Sequence, residues 1–285
     1  MSWRTLRHTA YPLLGVAVIL LLWQGYTRAF AVSRIVLPSP SDILFASIAR
    51  YDLLMRETWP TFLESVYGFA LAVVIGIPLA VCVANSRALN LTLYPILVAT
   101  QSVPKVAIAP IILVWFGLGI ESKLALAFLV AFFPIVVDTA TGLRSTPAGL
   151  LELARALRAS PFQVFTKVQF PAALPFIFSG AKVAVTLAVI GAVIGEFVGS
   201  VNGLGNLLLT ANSQLDSALA WAALIWLSML GIVLFAAVAL AQRLLMPWAA
   251  AAIIDAGDGA SCHPRLIYKL ATPGRCGPGD AYSDR

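Results

Sequence analysis

The chain has 285 residues, 60% of them hydrophobic and 11% charged, with a mean hydropathy of +0.90. A water-soluble globule is excluded, because its surface needs far more charge, whereas a bilayer accepts apolar side chains on the outside of a fold as readily as on the inside. The net charge of +6 comes from 19 basic residues scattered between apolar runs. With no basic block, nucleic-acid binding is not expected, and basic loops beside a membrane are. Three cysteines, Cys82, Cys262 and Cys276, do not make a secreted disulfide scaffold.

A helix crossing a bilayer takes about 20 apolar residues and satisfies its own backbone. Six stretches approach that, at about 11–29, 62–85, 93–118, 122–141, 176–198 and 217–242. The expected fold is an all-α membrane protein with six transmembrane helices over residues 1–250 and a tail over 251–285. In the first stretch, Arg4 and Arg7 before a short apolar core and the triplet Ala29-Phe30-Ala31 also fit a cleaved signal peptide. A retained span is the reading adopted, and the topology beyond it is the same either way.

After this span, Ser39 is expected to cap a short interfacial helix from Ser41 to about Leu54, with Pro40 at its first position. Val66 to Ala84 carries no charge. The stretch from Leu91 to Leu118 carries Lys105 among Pro95, Pro104 and Pro110, so it must bend. Freed carbonyls and a cation at such a break can face a water-filled path, which makes Lys105 a candidate pathway residue for an anionic or strongly polar solute.

Residues 143–175 form the one long connection. Thr146-Pro147 is read as an N-cap with proline at the first helical position, and Leu150, Ala154 and Leu157 then share one face. Glu152 and Arg155 are spaced to pair along this short helix. Ser160-Pro161 ends it, and Pro171 and Pro175 bend the next helix back into the membrane. In the fifth span, Gly191, Gly195 and Gly199 form one small-residue stripe and Ala184, Ala188 and Ala192 a second. Such stripes allow close helix contact, either within one subunit or at a dimer interface near the pathway. Glu64 and Glu196 fall near the external ends of their spans and Asp138 near an internal end. Ser217 to Gln242 is again uncharged.

With the amino terminus inside, Arg4, Arg7, Arg87, Arg144, Arg155, Arg158, Lys167 and Arg243 are cytoplasmic, and no basic residue occurs from Glu196 to Asp216 outside. Both termini are then cytoplasmic. Lys123 is assigned to an external loop, as are Arg28, Arg34, Arg50 and Arg56, which Asp42, Asp52 and Glu57 partly offset. From about Ile254 the glycine- and proline-rich tail is expected to be disordered, and Cys262, His263 and Cys276 are not taken as a metal site.

Glu152-Leu153-Ala154, then Arg158, then Val168-Gln169-Phe170-Pro171 resembles the Glu-Ala-Ala loop of permease subunits of ATP-binding-cassette importers. The family pattern is E-A-A, three residues, G, nine residues, I-x-L-P. Leu153 departs from its first alanine and Arg158 from its glycine. From about Val36 to Trp248 the chain is most similar to the nitrate, sulfonate and taurine branch, which includes importers of thiamine pyrimidine precursors. The resemblance is carried by Leu37-Pro38-Ser39-Pro40-Ser41, Val103-Pro104-Lys105, Trp115-Phe116-Gly117-Leu118-Gly119, Ala131-Phe132-Phe133-Pro134-Ile135 and Gly195-Glu196-Phe197-Val198-Gly199-Ser200, with Gly203-Leu204-Gly205 after it.

The resemblance implies the type I importer permease fold in a bacterial inner membrane. It implies a dimer of ATPase subunits holding ATP and Mg, a second permease chain, and an extracytoplasmic binding protein that delivers the solute. It gives Glu152, Ala154, Arg155, Arg158, Phe170 and Pro171 as the ATPase-coupling residues, and it places Gly191, Gly195 and Glu196 beside Lys105 as pathway candidates. This chain is expected to bind no cofactor and to be no enzyme. It has no G-x-x-x-x-G-K-[ST] to cradle phosphate, His8 and His263 lie in the termini, and Ser179 and Ser228 have no histidine near in sequence. The competing class is a stand-alone channel or ion-coupled carrier. At Arg158, a positive φ would cost about 1 to 2 kcal/mol, so the short helix is expected to run on to Ala159 or Ser160.

Overall fold

The computed structural model describes residues 3–246. The tail, with Cys262, His263 and Cys276, lies outside them, as do Arg4 and Arg7 as side chains. Every element among the described residues is helical.

Helix α1 (Trp3–Ala29) leads by a turn to α2 (Pro40–Ala49). Ser39 caps α2, its hydroxyl accepting from the Asp42 amide while the Asp42 carboxylate accepts from the Ser39 amide, and Pro40 sits in the first turn. Gln24 of α1 clasps this turn, donating to the Ser41 hydroxyl and accepting from the Ser41 amide. Contrary to expectation, α2 stops at Ala49. Arg50 leaves the helical region and α3 (Tyr51–Asn85) starts at once. The reason is tertiary: Leu54 packs with Ile43, Leu204, Leu207 and Leu219 in a core shared by four elements, so it belongs to the next helix axis. At 35 residues, α3 is about 50 Å long and outreaches a hydrocarbon core of about 30 Å.

The third expected span is two helices, α4 (Arg87–Thr100) and α5 (Lys105–Phe116), meeting at 98°. Amides of Gln101, Ser102 and Val103 each reach back three residues, to Val98, Ala99 and Thr100, and Pro104 has no amide with which to continue. Helix α6 (Ile120–Arg144) follows, then α7 (Ala148–Ala156), a first turn α8 (Pro161–Val164), a π-helical turn (Phe165–Gln169) and α9 (Phe170–Gly199). From Pro161 to Gly199 the path is one long helix. The Phe170 amide bonds to the Phe165 carbonyl, five residues back. That widened turn lies where the Pro171 ring would otherwise strike the Lys167 carbonyl. The chain ends its described part with α10 (Leu204–Ser213) and α11 (Ser217–Leu245).

Helix α6 lies between α3 and α9, and the seam is made by side chains that are missing. A Cβ on Gly68 would stand 2.4 Å from the Ala127 Cβ, and one on Gly191 would stand 2.7 Å from the Ala127 Cα. Glycine on both sides of one alanine lets three backbones close up, which is how helices gain contact where lipid offers no hydrophobic drive. Ala72, Ala131, Ala184 and Ala188 continue the seam, fully buried. Among the described residues four helices are long and apolar enough to cross a membrane, or five if the bent α4–α5 pair is counted as one span, and Leu14–Ala29 is a shorter apolar stretch. The exposed leucines and valines of α1 and α11 face outward, where acyl chains would cover them.

Candidate functional site

Three places carry the candidate residues. At the first, α7 hangs between α6 and α8 as an amphipathic helix. Pro147 is its N-cap without a side-chain bond, so the helix starts one residue later than expected, and Thr146 instead turns its hydroxyl onto the Leu143 carbonyl. Ala154 is buried, whereas Leu150, Leu153 and Leu157 are exposed, as are Glu152 and Arg155. No ion pair joins Glu152 to Arg155, in contrast to the expected spacing, and the long side chains stay free of each other.

Arg158 corrects the expectation most directly. The helix ends at Ala156, and Arg158 adopts φ +52°. Its amide bonds to the Arg155 carbonyl at 2.9 Å, and the Ala159 amide bonds to the Ala154 carbonyl at 3.0 Å. This is a Schellman stop, the ending that glycine favours, with arginine in the left-handed position. The reason is the next element: Ser160 caps α8 through a reciprocal pair with Gln163, and Pro161 opens that helix. This turn carries the chain from the end of α7 at Ala156 to the capped start of α8 at Pro161. Phe170 packs on Phe165 at 5.9 Å and lies with Leu143, Ala173 and Ile177, so it anchors the base of the loop, and Pro171 follows in the first turn of α9.

At the second place, Lys105 opens α5 at the 98° bend, half-buried. Its Nζ donates to the Gln101 carbonyl at 3.3 Å and stands 5.5 Å from the Phe133 ring centroid. The carbonyl is one the bend leaves out of the helical ladder. Among the described residues Lys105 has no carboxylate partner.

The third place was not foreseen as a unit. Glu196 of α9, Glu57, Thr61 and Glu64 of α3, and Lys123 of α6 meet in a buried polar brace. The Thr61 hydroxyl donates to Glu196 Oε1 at 2.6 Å and accepts from the Leu204 amide at 2.9 Å. The Gly205 amide donates to Glu196 Oε2 at 2.6 Å, the Gly203 amide to Glu57 Oε2 at 2.8 Å, and Lys123 Nζ to Glu64 Oε1 at 2.8 Å. Carboxylates thus hold the first amides of α10, where the helix end favours negative charge. Gly203 has φ +109°, and a Cβ there would fall 2.0 Å from Glu196 Oε1. The Gly-Glu-Phe and Gly-Leu-Gly motifs therefore form one folding unit, in which α10 is tied to the end of α9. Lys123, assigned to an external loop, instead belongs inside α6 as the partner of Glu64, and Glu57 is buried rather than merely offsetting arginines. The signal for this was present: four charges of α3, α6 and α9 each sit within a few residues of an apolar run.

Gly191 and Gly195 lie in the α6–α9 seam, Gly195 close against Lys123. The structure gathers Gly195 and Glu196 near the brace, while Lys105 remains at the bend and the α7 residues at the other end of α6 and α9.

The sequence profile of the family described as the binding-protein-dependent transport system inner membrane component matches residues 72–250. The chain is 38% identical, over 79% of its length and 91% of the relative, to a Haemophilus influenzae protein named "Probable ABC transporter permease protein". It is 36% identical, over 83% and 95%, to the formylaminopyrimidine transport permease protein ThiX of Halalkalibacterium halodurans. Among solved structures it resembles an inward-facing form of the MetNI methionine ABC transporter at a TM-score of 0.60 and 25% identity, over 69% of this chain and 97% of that one. With an all-helical fold and several apolar helices besides, the chain belongs to the binding-protein-dependent transport system inner membrane component family: it is a multi-pass permease subunit of an ATP-driven importer, a transport component rather than an enzyme.

Proposed function

We propose that α7 is the element through which ATP hydrolysis in a partner subunit moves this permease. The carrying observation is the combination at α7 of a helix that buries only Ala154 and leaves Leu150, Leu153 and Leu157 exposed, with a Schellman turn held at Arg158 despite its cost. An ATPase surface that accepts those leucines and offers an acidic group to Arg158 completes it. An importer permease works with an ATPase and a substrate-binding protein. The arrangement proposed is two ATPase subunits holding ATP and Mg, two copies of this chain, and a binding protein on the far side. The α7 end then faces the cytoplasm, with both termini, and the brace end faces out. Residues 1–250 act as the permease domain.

The test compares Glu152→Ala, Arg158→Gly and Arg158→Glu for co-purification with the ATPase and for substrate-stimulated ATP hydrolysis. Arg158→Gly keeps the turn and should keep the ATPase bound, whereas Arg158→Glu keeps the strain, reverses the charge and should uncouple. Wild-type behaviour of all three would remove α7 from the coupling path.

Lys105 supports a solute that is small and anionic or strongly polar, and the likeness to ThiX supports a pyrimidine precursor. The unpaired ammonium beside the Phe133 ring favours an anion of the sulfonate or nitrate kind as the second reading. A ligand screen of the cognate binding protein separates the two. Lys105→Met should lower uptake of either solute with the ATPase still bound, and undiminished uptake at every concentration would take Lys105 off the pathway.

A further inference from the structure

With every carboxyl ionised, the polar brace carries more negative than positive charge. Glu57 answers to Arg56 at 3.1 Å and to the Gly203 amide, which leaves Glu64, Glu196 and a single cation, Lys123. Glu64 and Glu196 are each 1% exposed and are drawn together from two sides: Glu196 is held by Thr61, one turn before Glu64 on α3, and Lys123, which pairs with Glu64, lies against Gly195, the neighbour of Glu196. Both Glu196 oxygens accept hydrogen bonds, from Thr61 and Gly205, and Glu64 Oε1 accepts from Lys123. Glu64 Oε2 is buried and has no partner at all. An acceptor oxygen sealed from water beside a second carboxylate is costly, and a proton placed on it turns that oxygen into a donor.

We propose that Glu64 and Glu196 form a proton-binding site, in which Glu64 Oε2 carries a proton and donates it to the Glu196 carboxylate. Lys123, one carboxylate and one carboxylic acid then sum to zero inside the protein. The other charges nearby face elsewhere: Glu121 of α6 is exposed, and α5, which packs on Leu126 and Ile194, has its one charge at Lys105, turned to the Gln101 carbonyl and the Phe133 ring. Helix α10 has no charged residue, and α11, which lies against Phe62 and Val66, has its one charge at Arg243 in the last turn. The site joins α3, α6, α9 and α10, so releasing the proton puts a second, unpaired negative charge into the seam that holds those helices. The brace should therefore loosen as pH rises. This does not depend on which solute is carried.

The two carboxyls differ in what an amide replacement does. In Glu64→Gln, the amide donates to Glu196 as the proton would, and its oxygen still accepts from Lys123. In Glu196→Gln, one of the two accepting oxygens becomes a donor that meets Thr61 or the Gly205 amide. The experiment takes the purified permease with its ATPase through about pH 6 to about pH 9, recording the infrared carboxylic-acid C=O band and the melting temperature. The expected result is a band in wild type that disappears in Glu64→Gln and survives in Asp138→Asn, the control carboxyl in α6. Wild-type melting should fall on the alkaline side while Glu64→Gln stays level, and Glu196→Gln should melt lower at every pH. Wild type without a protonated band throughout, or a band untouched by Glu64→Gln, overturns the proposal. So does sodium-dependent melting that Glu64→Gln abolishes without any band, since the site would then hold a cation. Should Glu64→Gln fail to assemble, the wild-type band and its pH dependence still decide.

Discussion

At the Lys123 end of the α6–α9 pair, carboxyls, a hydroxyl and three backbone amides find one another inside the protein. At the α7 end of the same two helices, leucines, Glu152 and Arg158 all point away from it. The first region satisfies its polar groups within one chain and has the burial to make them strong. The second leaves apolar and charged groups exposed and keeps a left-handed arginine. Under the coupling role proposed for α7, the first end is the fixed seam and the second the handle.

The comparison is broken most severely at Lys123. Lys123→Met removes the one cation that pairs with Glu64 among the described residues and should cost about 3 to 5 kcal/mol, seen as a large drop in the melting temperature of the purified importer. The double variant with Glu64→Gln should recover part of that loss, and a full loss in both would mean that Lys123 matters for packing rather than charge. Thr61→Val comes next. It strands Glu196 Oε1 and the Leu204 amide, for about 2 kcal/mol, and hydrogen exchange should locate the loosening at the start of α10; unchanged exchange there would show that Thr61 is not the link.

Smaller effects sharpen the other side. Arg158→Gly should raise stability by about 1 kcal/mol by relieving the left-handed backbone, read by melting of the permease apart from any coupling assay. A decrease would mean that the arginine side chain holds the turn. The least effect belongs to α2. The hydrogen bond from Ser39, reinforced by Arg34 at 3.6 Å, holds the Asp42 carboxyl below its ordinary range. A depressed carboxyl contributes stability that is complete above its unfolded value and lost as pH falls through the folded one. Acidification should therefore speed exchange of the α2 amides, with Asp42→Asn removing most of that acid dependence.

Membrane residence, the apolar stretches, the Ser39 cap and the loop motif were legible in the sequence, because each is a local matter of composition, spacing or capping. The break at Pro104 was legible too, although its 98° angle was not, since proline removes a bond without setting the direction that follows. Four features depended on distant neighbours. Leu54 ended α2 early to join a core with α10 and α11, Gly191 found Ala127, and Lys123 found Glu64 across 59 positions. Arg158 took a conformation that its own side chain disfavours, because the capped start of α8 fixes where the chain must go. Local preference at that residue is worth about 1 to 2 kcal/mol, and the packing of the long helices α6 and α9, which the α7 loop must connect, outweighs it. Only the tertiary structure could decide which contribution won.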